Sequence, residues 1–234
     1  MADIIAIIGN KGGTGKTTLT HLLAHGLGLL GHRVVAAVTE KDREPLSKVG
    51  RLYLPVDARS PEALAKVAAK LAAVDGWFGV MDGGGSDEAT DQRIAEFARL
   101  VLLPFRDSHE DLRCVRRDLE RFPQAFALPS QWPTNVWQLE AAGRLLAEHM
   151  SDYRARLFPP VPAISATKLL LQMQVPATLP PQVNHAAREF AKQVLAALSG
   201  NQLPEIAENT ATDTTAAATA AATAAAAPTA PSLP

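Results

Sequence analysis

Cysteine is almost absent from this chain of 234 residues, in which Cys114 is the only one. A single thiol excludes a disulfide framework within the chain and any metal site built from cysteines alone. It also argues against a secreted protein, because secreted domains of modest size commonly rely on disulfides. We therefore expect a protein of the reducing cytoplasm.

Long apolar runs and a strong net charge are missing as well. No stretch approaches the roughly 20 apolar residues that cross a bilayer, and the start Met1-Ala2-Asp3 lacks the basic segment of a secretory signal. We expect no membrane partner. The formal net charge of −1 gives no global argument for nucleic acid binding.

The last 34 positions, 201–234, contain three acids and no Lys or Arg, and from Thr210 onward they are mostly Ala and Thr. Repeated threonine without an amphipathic stripe leaves nothing to bury. We expect one domain over residues 1–200 and a disordered tail over 201–234. A partner-binding peptide in the tail is the alternative.

A glycine-rich run follows the apolar stretch Ile4–Ile8 and precedes a segment of helical character that reaches about Leu30. A strand, a glycine-rich loop and a helix in this order are the context of a phosphate-binding P-loop. Glycines let backbone N–H groups turn towards phosphate oxygens, and the helix N-terminus adds partial positive charge. The predicted nucleotide-binding residues are Lys11, Gly12, Gly13, Thr14, Gly15, Lys16, Thr17 and Thr18. Lys16 would reach the β- and γ-phosphates, and the Thr17 hydroxyl would coordinate Mg²⁺.

Beyond the P-loop, strand-like and helix-like segments alternate along the chain. This alternation predicts an α/β fold of the P-loop NTPase class, with a mainly parallel twisted sheet and helices on both faces. The pattern also predicts a short edge strand over 161–164 and a last helix from Ala186 to Leu198.

An acid is expected near Mg²⁺ at the end of a neighbouring strand. The buried-type segment Trp77–Met81 ends at Asp82, which therefore becomes the second predicted metal ligand. Three glycines follow it and permit close approach to phosphate. The alternative is a strand-terminating Asp in a flexible turn.

The run Lys11-Gly12-Gly13-Thr14-Gly15-Lys16-Thr17 resembles the deviant Walker A motif of the ParA/MinD family of ATPases. The resemblance implies ATP and Mg²⁺ as cofactors and a homodimer that sandwiches ATP. It also implies that Lys11 is the signature lysine, which touches the phosphates bound by the partner subunit. Lys11 and Lys16 thereby become candidate catalytic residues.

The chain departs from the family pattern after the second strand, where two acids are usual. Val38 stands at the first position and Glu40 at the second. By resemblance Glu40 would orient the attacking water and is the third candidate catalytic residue, with Asp42 as a substitute if the loop is shifted. Glu is one methylene longer than Asp, and water orientation is sensitive to displacements of about 1 Å. We therefore expect ATP hydrolysis that is slow and stimulated by a partner. Solvated loop charges are the alternative.

Relatives that bind nonspecific DNA use basic residues in their C-terminal region, and the matching candidates are Lys168, Arg188 and Lys192. The resemblance thus implies an ATPase that partitions plasmid or chromosome DNA, associates with the nucleoid, and is released by a ParB-like or cargo-adaptor protein. Two alternatives remain. In the first, the switch positions a protein cargo such as a microcompartment or chemoreceptor cluster. In the second, the protein is a slowly hydrolysing, nucleotide-locked scaffold.

Three further patterns favour ordinary structural roles. Arg113, Arg117 and Arg121 recur every four residues among acids, which is typical of a solvated helix face with ion pairs. His21 and His25 have metal-ligand spacing but no third ligand nearby, so we expect ordinary helix histidines. Trp132 and Trp137 flank a proline-containing loop, and we expect both to pack.

Overall fold

A computed structural model describes residues 2–39, 46–84 and 88–200. In this part of the chain, strands and helices alternate as the sequence predicts. The strands are β1 (Asp3–Ile7), β2 (Arg33–Val38), β3 (Leu54–Asp57), β4 (Trp77–Asp82), β5 (Leu100–Phe105) and β6 (Phe126–Pro129). The helices are α1 (Lys16–Leu29), α2 (Pro61–Ala72), α3 (Glu88–Phe97), α4 (His109–Arg121), α5 (Val136–His149) and α6 (Pro181–Leu198), with 3₁₀ helices at Ser151–Arg156 and Ser165–Leu171.

The strands form one sheet in the order β3-β2-β4-β1-β5-β6, and every pair is parallel. β1 lies between β4 and β5, and four of its five residues are buried. Strands buried on both faces read as continuous apolar runs, which is why the sequence indicates a strand over Ile4–Ile8. The parallel α/β fold is confirmed.

Each face of the sheet has its own core. Leu23 of α1 and Phe190 of α6 belong to one core, and Ile94 of α3 and Leu119 of α4 belong to the other. Helix α1 packs unusually close to α6, because a Cβ atom built on Gly26 would lie 2.0 Å from the backbone oxygen of Ala187. Gly26 therefore sets the distance between these two helices.

Helix starts follow the capping chemistry of the sequence. Ser60 accepts a hydrogen bond from the N–H of Ala63 at the start of α2, and Ser108 accepts one from Asp111 at the start of α4. The prediction for the last helix was too short: α6 begins at Pro181, five residues before Ala186. Proline suits this first position because its missing N–H would have had no helical partner there.

The predicted edge strand over 161–164 is wrong. Only an isolated bridge between Trp132 and Pro162 forms in this stretch of the described chain. Pro159, Pro160 and Pro162 supply no backbone N–H, so a regular ladder cannot continue along the segment. Separately, no helix of the described residues is long and apolar enough to cross a membrane.

Candidate nucleotide-binding site

The P-loop connects the carboxyl end of β1, at the middle of the sheet, to the start of α1. Gly13 and Gly15 adopt φ angles of +80° and +88°, which side chains other than glycine rarely tolerate. Gly15 is the N-cap of α1. Cβ atoms built on Gly12 or Gly13 would meet nothing within 4 Å. The loop therefore offers an open, glycine-lined surface at a helix N-terminus, which suits an anion.

Lys16 is folded back over this loop. It is the first residue of α1 and is only 8% exposed, and its Nζ donates a hydrogen bond to the backbone oxygen of Lys11 at 2.8 Å. The Thr14 hydroxyl donates to the same oxygen at 3.3 Å. Thr17 and Thr18 follow in the first turn of α1 and are half-buried. The ammonium group thus lies over the glycine-rich turn.

Lys11 takes a different direction from Lys16. Its Nζ forms an ion pair with the Glu110 carboxylate of α4 at 2.7 Å, and both side chains reach solvent. The hydrogen bond between them raises the pKa of Lys11 and lowers the pKa of Glu110. Two lysines of one loop therefore face different surroundings, Lys16 inward and Lys11 towards the outside.

Two buried carboxylates hold the beginning of the loop, and we call Asp91 and Asp118 the loop carboxylates. The N–H of Gly9 donates to Asp91 Oδ2 at 3.1 Å, and the N–H of Asn10 donates to Asp118 Oδ2 at 3.1 Å. Each side chain belongs to a residue that is 5% exposed. Burial raises the pKa of Asp91 to about 6, against the lowering effects of the Gly9 hydrogen bond and Lys16. Burial also raises the pKa of Asp118.

Sequence reasoning missed both loop carboxylates. Asp118 stands among the arginines of α4, where it looks like a solvated ion-pair partner, and Asp91 looks like an acid of a helical first turn. Helical spacing places a residue on a face of its helix, but it does not say which distant loop that face meets. No signal in the sequence separates these acids from the exposed ones.

Position 83 has no room for a side chain, because the Asp91 carboxylate lies close to the backbone of Gly83. A Cβ atom at this position would lie 2.6 Å from Asp91 Oδ1 and 2.9 Å from the Cα atom of Ile8. The sequence suggests that the glycines after Asp82 allow approach to phosphate. Gly83 instead makes room for Asp91 and β1, while Gly85 lies outside the described residues.

Asp82, the second predicted metal ligand, lies at the carboxyl end of β4, the strand beside β1. It is the last residue of β4, in register with Ile7 of β1, and it is completely buried. The hydroxyl of Thr39 donates to its backbone oxygen at 2.7 Å, and the N–H of Gly83 donates to Ile7 O at 2.9 Å. These contacts hold the Asp82 carboxylate at the strand edge beside the P-loop strand.

The chemistry of Thr17 and Asp82 fits a magnesium ion. Hydroxyl and carboxylate oxygens are the hard donors that Mg²⁺ takes, and Mg²⁺ commonly uses one or two protein ligands with phosphate and water completing its shell. Within residues 2–39, 46–84 and 88–200, no group of three or more His, Cys, Asp or Glu side chains could hold a metal alone.

The loop after β2 is described only up to Thr39. Val38 ends β2 and pairs in register with Asp82, so an apolar residue occupies the first position where the family pattern has an acid. The predicted catalytic residue Glu40 and its substitute Asp42 lie outside the described residues.

A second loop supports the P-loop from the β6 side. The Ser130 hydroxyl lies within hydrogen-bond distance of Thr14 O, at 2.7 Å, and of Phe105 O. Gln131 has a φ angle of +50°, and its Nε2 donates to Gly13 O at 3.2 Å. Neither residue was predicted, because Ser and Gln before a tryptophan carry no phosphate-loop signature.

The predicted DNA-binding residues Lys168, Arg188 and Lys192 are all exposed. They lie on the second 3₁₀ helix and on α6, whose buried residues share one core, so they occupy the same side of the sheet. Lys192 forms an ion pair with Glu189 at 2.7 Å, which offsets part of its charge. The surface carries basic groups, and their role stays a prediction.

The histidines and one tryptophan have the structural roles that the sequence suggests. His21 Nδ1 lies 2.9 Å from the Tyr53 hydroxyl, and His25 Nε2 lies 2.9 Å from Asn184 Oδ1. Trp132 is 6% exposed and packs edge-on against Phe105. The packing prediction is wrong for Trp137, which is 78% exposed at the start of α5.

These features define an α/β protein of the P-loop NTPase fold, and solved structures share it. No protein-family model and no curated protein sequence matches the chain. The MinD cell division protein of Aquifex aeolicus is 16% identical with a TM-score of 0.64, over 83% of this chain and 97% of that one. An ATP complex of a McdA variant from Cyanothece is 16% identical with a TM-score of 0.60, over 86% of this chain and 97% of that one.

A third similar structure is the cobyrinic acid a,c-diamide synthase of Mycobacterium smegmatis with a bound ATP analogue and magnesium. It is 19% identical with a TM-score of 0.61, over 88% of this chain and all of that one. At such low identity these likenesses establish the fold. They agree with the fold that the resemblance to the ParA/MinD family implies.

Proposed function

We propose that this protein is a ParA-like ATPase that binds Mg-ATP at its P-loop and forms an ATP-sandwich homodimer. The proposal rests on one observation: the side chains of Lys11 and Lys16, which belong to the same loop, point in different directions. Lys16 is buried over the glycine turn, whereas Lys11 reaches the surface and is held there by Glu110. A lysine at the rim can meet phosphates bound by another subunit, while a lysine inside the loop serves its own nucleotide.

The residues of the loop suit the polyphosphate of ATP. Open glycine backbone at Gly12 and Gly13, the N-terminus of α1 and the Lys16 ammonium all supply positive potential. Thr17 and Asp82 would hold Mg²⁺, which neutralises developing charge on the phosphates when bound. The loop carboxylates and Ser130 keep the backbone of the loop in place, so that little ordering is needed on binding.

Glu40 is the proposed residue that orients the attacking water. Its extra methylene, and the apolar Val38 before it, support slow turnover that a ParB-like or cargo-adaptor protein stimulates. Loss of the γ-phosphate would remove the attraction for Lys11 across the interface and release the dimer. The protein would thus act as a nucleotide-controlled switch.

The proposed cargo is plasmid or chromosome DNA, and the proposed place is the nucleoid in the cytoplasm. Lys168, Arg188 and Lys192 support this, because exposed basic groups on one side of the sheet can contact phosphates without reading sequence. Such binding weakens steeply with salt. Positioning of a protein cargo is the second candidate, favoured by the partial neutralisation of Lys192 by Glu189.

Light scattering after gel filtration tests the dimer, with ATP, ADP or no nucleotide. We expect ATP to produce a dimer in the unaltered protein, and Lys16→Ala to lose nucleotide binding. Lys11→Ala should keep ATP binding but lose the dimer, while Lys66→Ala, which removes an exposed lysine of α2, should behave like the unaltered protein. A Lys11→Ala protein that still dimerises with ATP contradicts the proposed role of Lys11.

A duplex DNA binding assay under the same three nucleotide conditions tests the cargo. ATP-dependent binding that weakens with salt, and weakens further in Arg188→Ala, supports DNA partition. An ATP-dependent dimer that does not bind DNA leaves the switch intact and favours the protein cargo.

A further inference from the structure

One face of α4 forms a groove of about 370 Å³ together with the end of α5. The groove spans twelve residues of α4, from His109 to Glu120, and the rises between them correspond to about 17 Å along the helix axis. Its lining consists of His109, Leu112, Arg113, Arg116, Arg117, Glu120 and His149. We call it the arginine groove. It is separate from the glycine-lined surface of the P-loop.

The three arginines of this groove, Arg113, Arg116 and Arg117, form no direct ion pair within the described part of the chain. The sequence suggests neutralising acids nearby, but Asp111 and Asp118 are buried. Asp111 accepts hydrogen bonds at the start of α4 and from the N–H of Arg106, and Asp118 accepts one from the P-loop.

The two remaining charged residues at this end of α4, Arg121 and Glu120, form no ion pair with the three arginines in the described structure. Arg121 points away and pairs with Glu88 of α3 at 3.0 Å. Glu120 is the one acid among the lining residues, and the Tyr153 hydroxyl lies 3.4 Å from it. The interpretation of this helix face as a set of ion pairs therefore holds for Arg121 and is wrong for Arg113 and Arg117.

The groove also has apolar and aromatic parts. Leu112 is 2% exposed and lies at its base. The His109 and His149 rings meet edge-on with centroids 5.0 Å apart, and the Arg116 guanidinium lies 5.9 Å from the centroid of the Tyr153 ring. The ring attracts the guanidinium through a cation–π contact, and the planar fork of an arginine can bind a carboxylate in two-point fashion.

We propose that the arginine groove docks an acidic segment of a partner protein. A peptide that carries both carboxylates and an apolar side chain matches arginines set around an apolar base. Duplex DNA fits less well, because its phosphates offer negative charge but no apolar side chain for the base of the groove. The proposal concerns binding to the protein without nucleotide and does not depend on the proposed ATPase cycle.

The position of the groove would bring such a partner close to the P-loop. His109, at one end of the groove, is the neighbour in sequence of Glu110, which holds Lys11. Arg113 lies one helical turn further and acts electrostatically on the Glu110 carboxylate. An acidic segment on Arg113 would therefore lie beside the ion pair of Lys11.

Fluorescence anisotropy with nucleotide-free full-length protein tests the proposal. The probe is a fluorescein-labelled peptide that repeats Glu-Glu-Leu-Ser, with Gln-Gln-Leu-Ser as the uncharged peptide and a labelled DNA duplex as the competing ligand. The paired variant Arg113→Glu with Arg117→Glu reverses two groove charges. Lys66→Glu with Lys70→Glu reverses two exposed charges one turn apart on α2 and serves as the matched control.

We expect the acidic peptide, but not its glutamine counterpart, to bind the unaltered protein. The groove reversal should weaken binding by about tenfold or more, and the α2 reversal should change it less than about twofold. Arg113→Gln with Arg117→Gln removes charge without adding repulsion, so its intermediate loss would exclude misfolding as the cause.

Three results would overturn the proposal. The unaltered protein fails to bind the acidic peptide, the groove and α2 reversals weaken it equally, or the groove reversal abolishes DNA binding and leaves peptide binding unchanged. The last result would make the groove a phosphate surface. None of them bears on whether ATP dimerises the protein.

Discussion

Replacing Asp91 by Asn tests the buried charge beneath the P-loop. Burial gives Asp91 a pKa of about 6, against an ordinary value of 3.8. A gap of that size corresponds to about 3 kcal/mol. Because the pKa is raised in the folded state, its contribution to stability is fully present below pH 3.8 and is lost as the pH rises through about 6. Above that pH, the ionised carboxylate opposes folding.

The substitution Asp91→Asn removes this charge while keeping an oxygen that can accept the Gly9 hydrogen bond. The new NH₂ group would take the place of Oδ1, which accepts no hydrogen bond from the described residues. An unsatisfied buried donor costs about 1–2 kcal/mol. We therefore expect a gain in the free energy of unfolding of about 1–2 kcal/mol at pH 8, where the charge effect dominates. At pH 4.5 the gain should vanish or change sign.

Urea unfolding of the nucleotide-free protein at several pH values between 4.5 and 8 measures this difference. Asp152→Asn replaces an exposed acid of the first 3₁₀ helix and serves as the control, with no pH-dependent change expected. A difference between Asp91→Asn and the unaltered protein that stays constant over this pH range would refute the argument from burial.

The remaining predictions concern helix packing and the ion pair of Lys11. Gly26→Ala should destabilise the fold by about 3 kcal/mol, because its Cβ would strike backbone of α6. Gly143→Ala, where nothing lies within 4 Å, should stabilise it by about 0.5–1 kcal/mol. A loss of thermal stability in Gly143→Ala as large as in Gly26→Ala would contradict the explanation by contact with the α6 backbone. Glu110→Gln should lower the pKa of Lys11, so that acylation of Lys11 at about pH 9, measured relative to that of Lys66, becomes faster than in the unaltered protein. Unchanged relative labelling in peptide mapping would argue against the ion pair in solution.

The parts of the fold that rest on local patterns were predictable. Four consecutive isoleucines and alanines of β1 identify a buried strand, and Ser60-Pro61 identifies a helix start, because neighbouring residues determine both. The same holds for the glycines of the P-loop, whose positive φ angles exclude most side chains. The edge strand over 161–164 was predicted from the apolar character of the segment. The prolines at 159, 160 and 162 prevent a regular strand there, because they supply no backbone N–H.

The partners of charged residues were not predictable. The sequence places Asp118 among arginines, yet its carboxylate binds the N–H of Asn10, 108 residues away. Asp91 binds Gly9 across 82 residues. Helical periodicity assigns a residue to a face, whereas the packing of the whole helix decides whether that face meets solvent or a loop.

The sequence alone determined the phosphate-binding loop, because glycine conformation and the order of strand, loop and helix are properties of one short segment. It also determined that two lysines lie on this loop. Only the tertiary structure decided what each does: Lys16 folds over the loop, and Lys11 meets Glu110 of α4. The structure likewise turned Asp111 and Asp118 of α4 inward and left three arginines of the described chain without a direct ion pair. The physical reason is that electrostatic partners are set by distance in space, which the chain order does not contain.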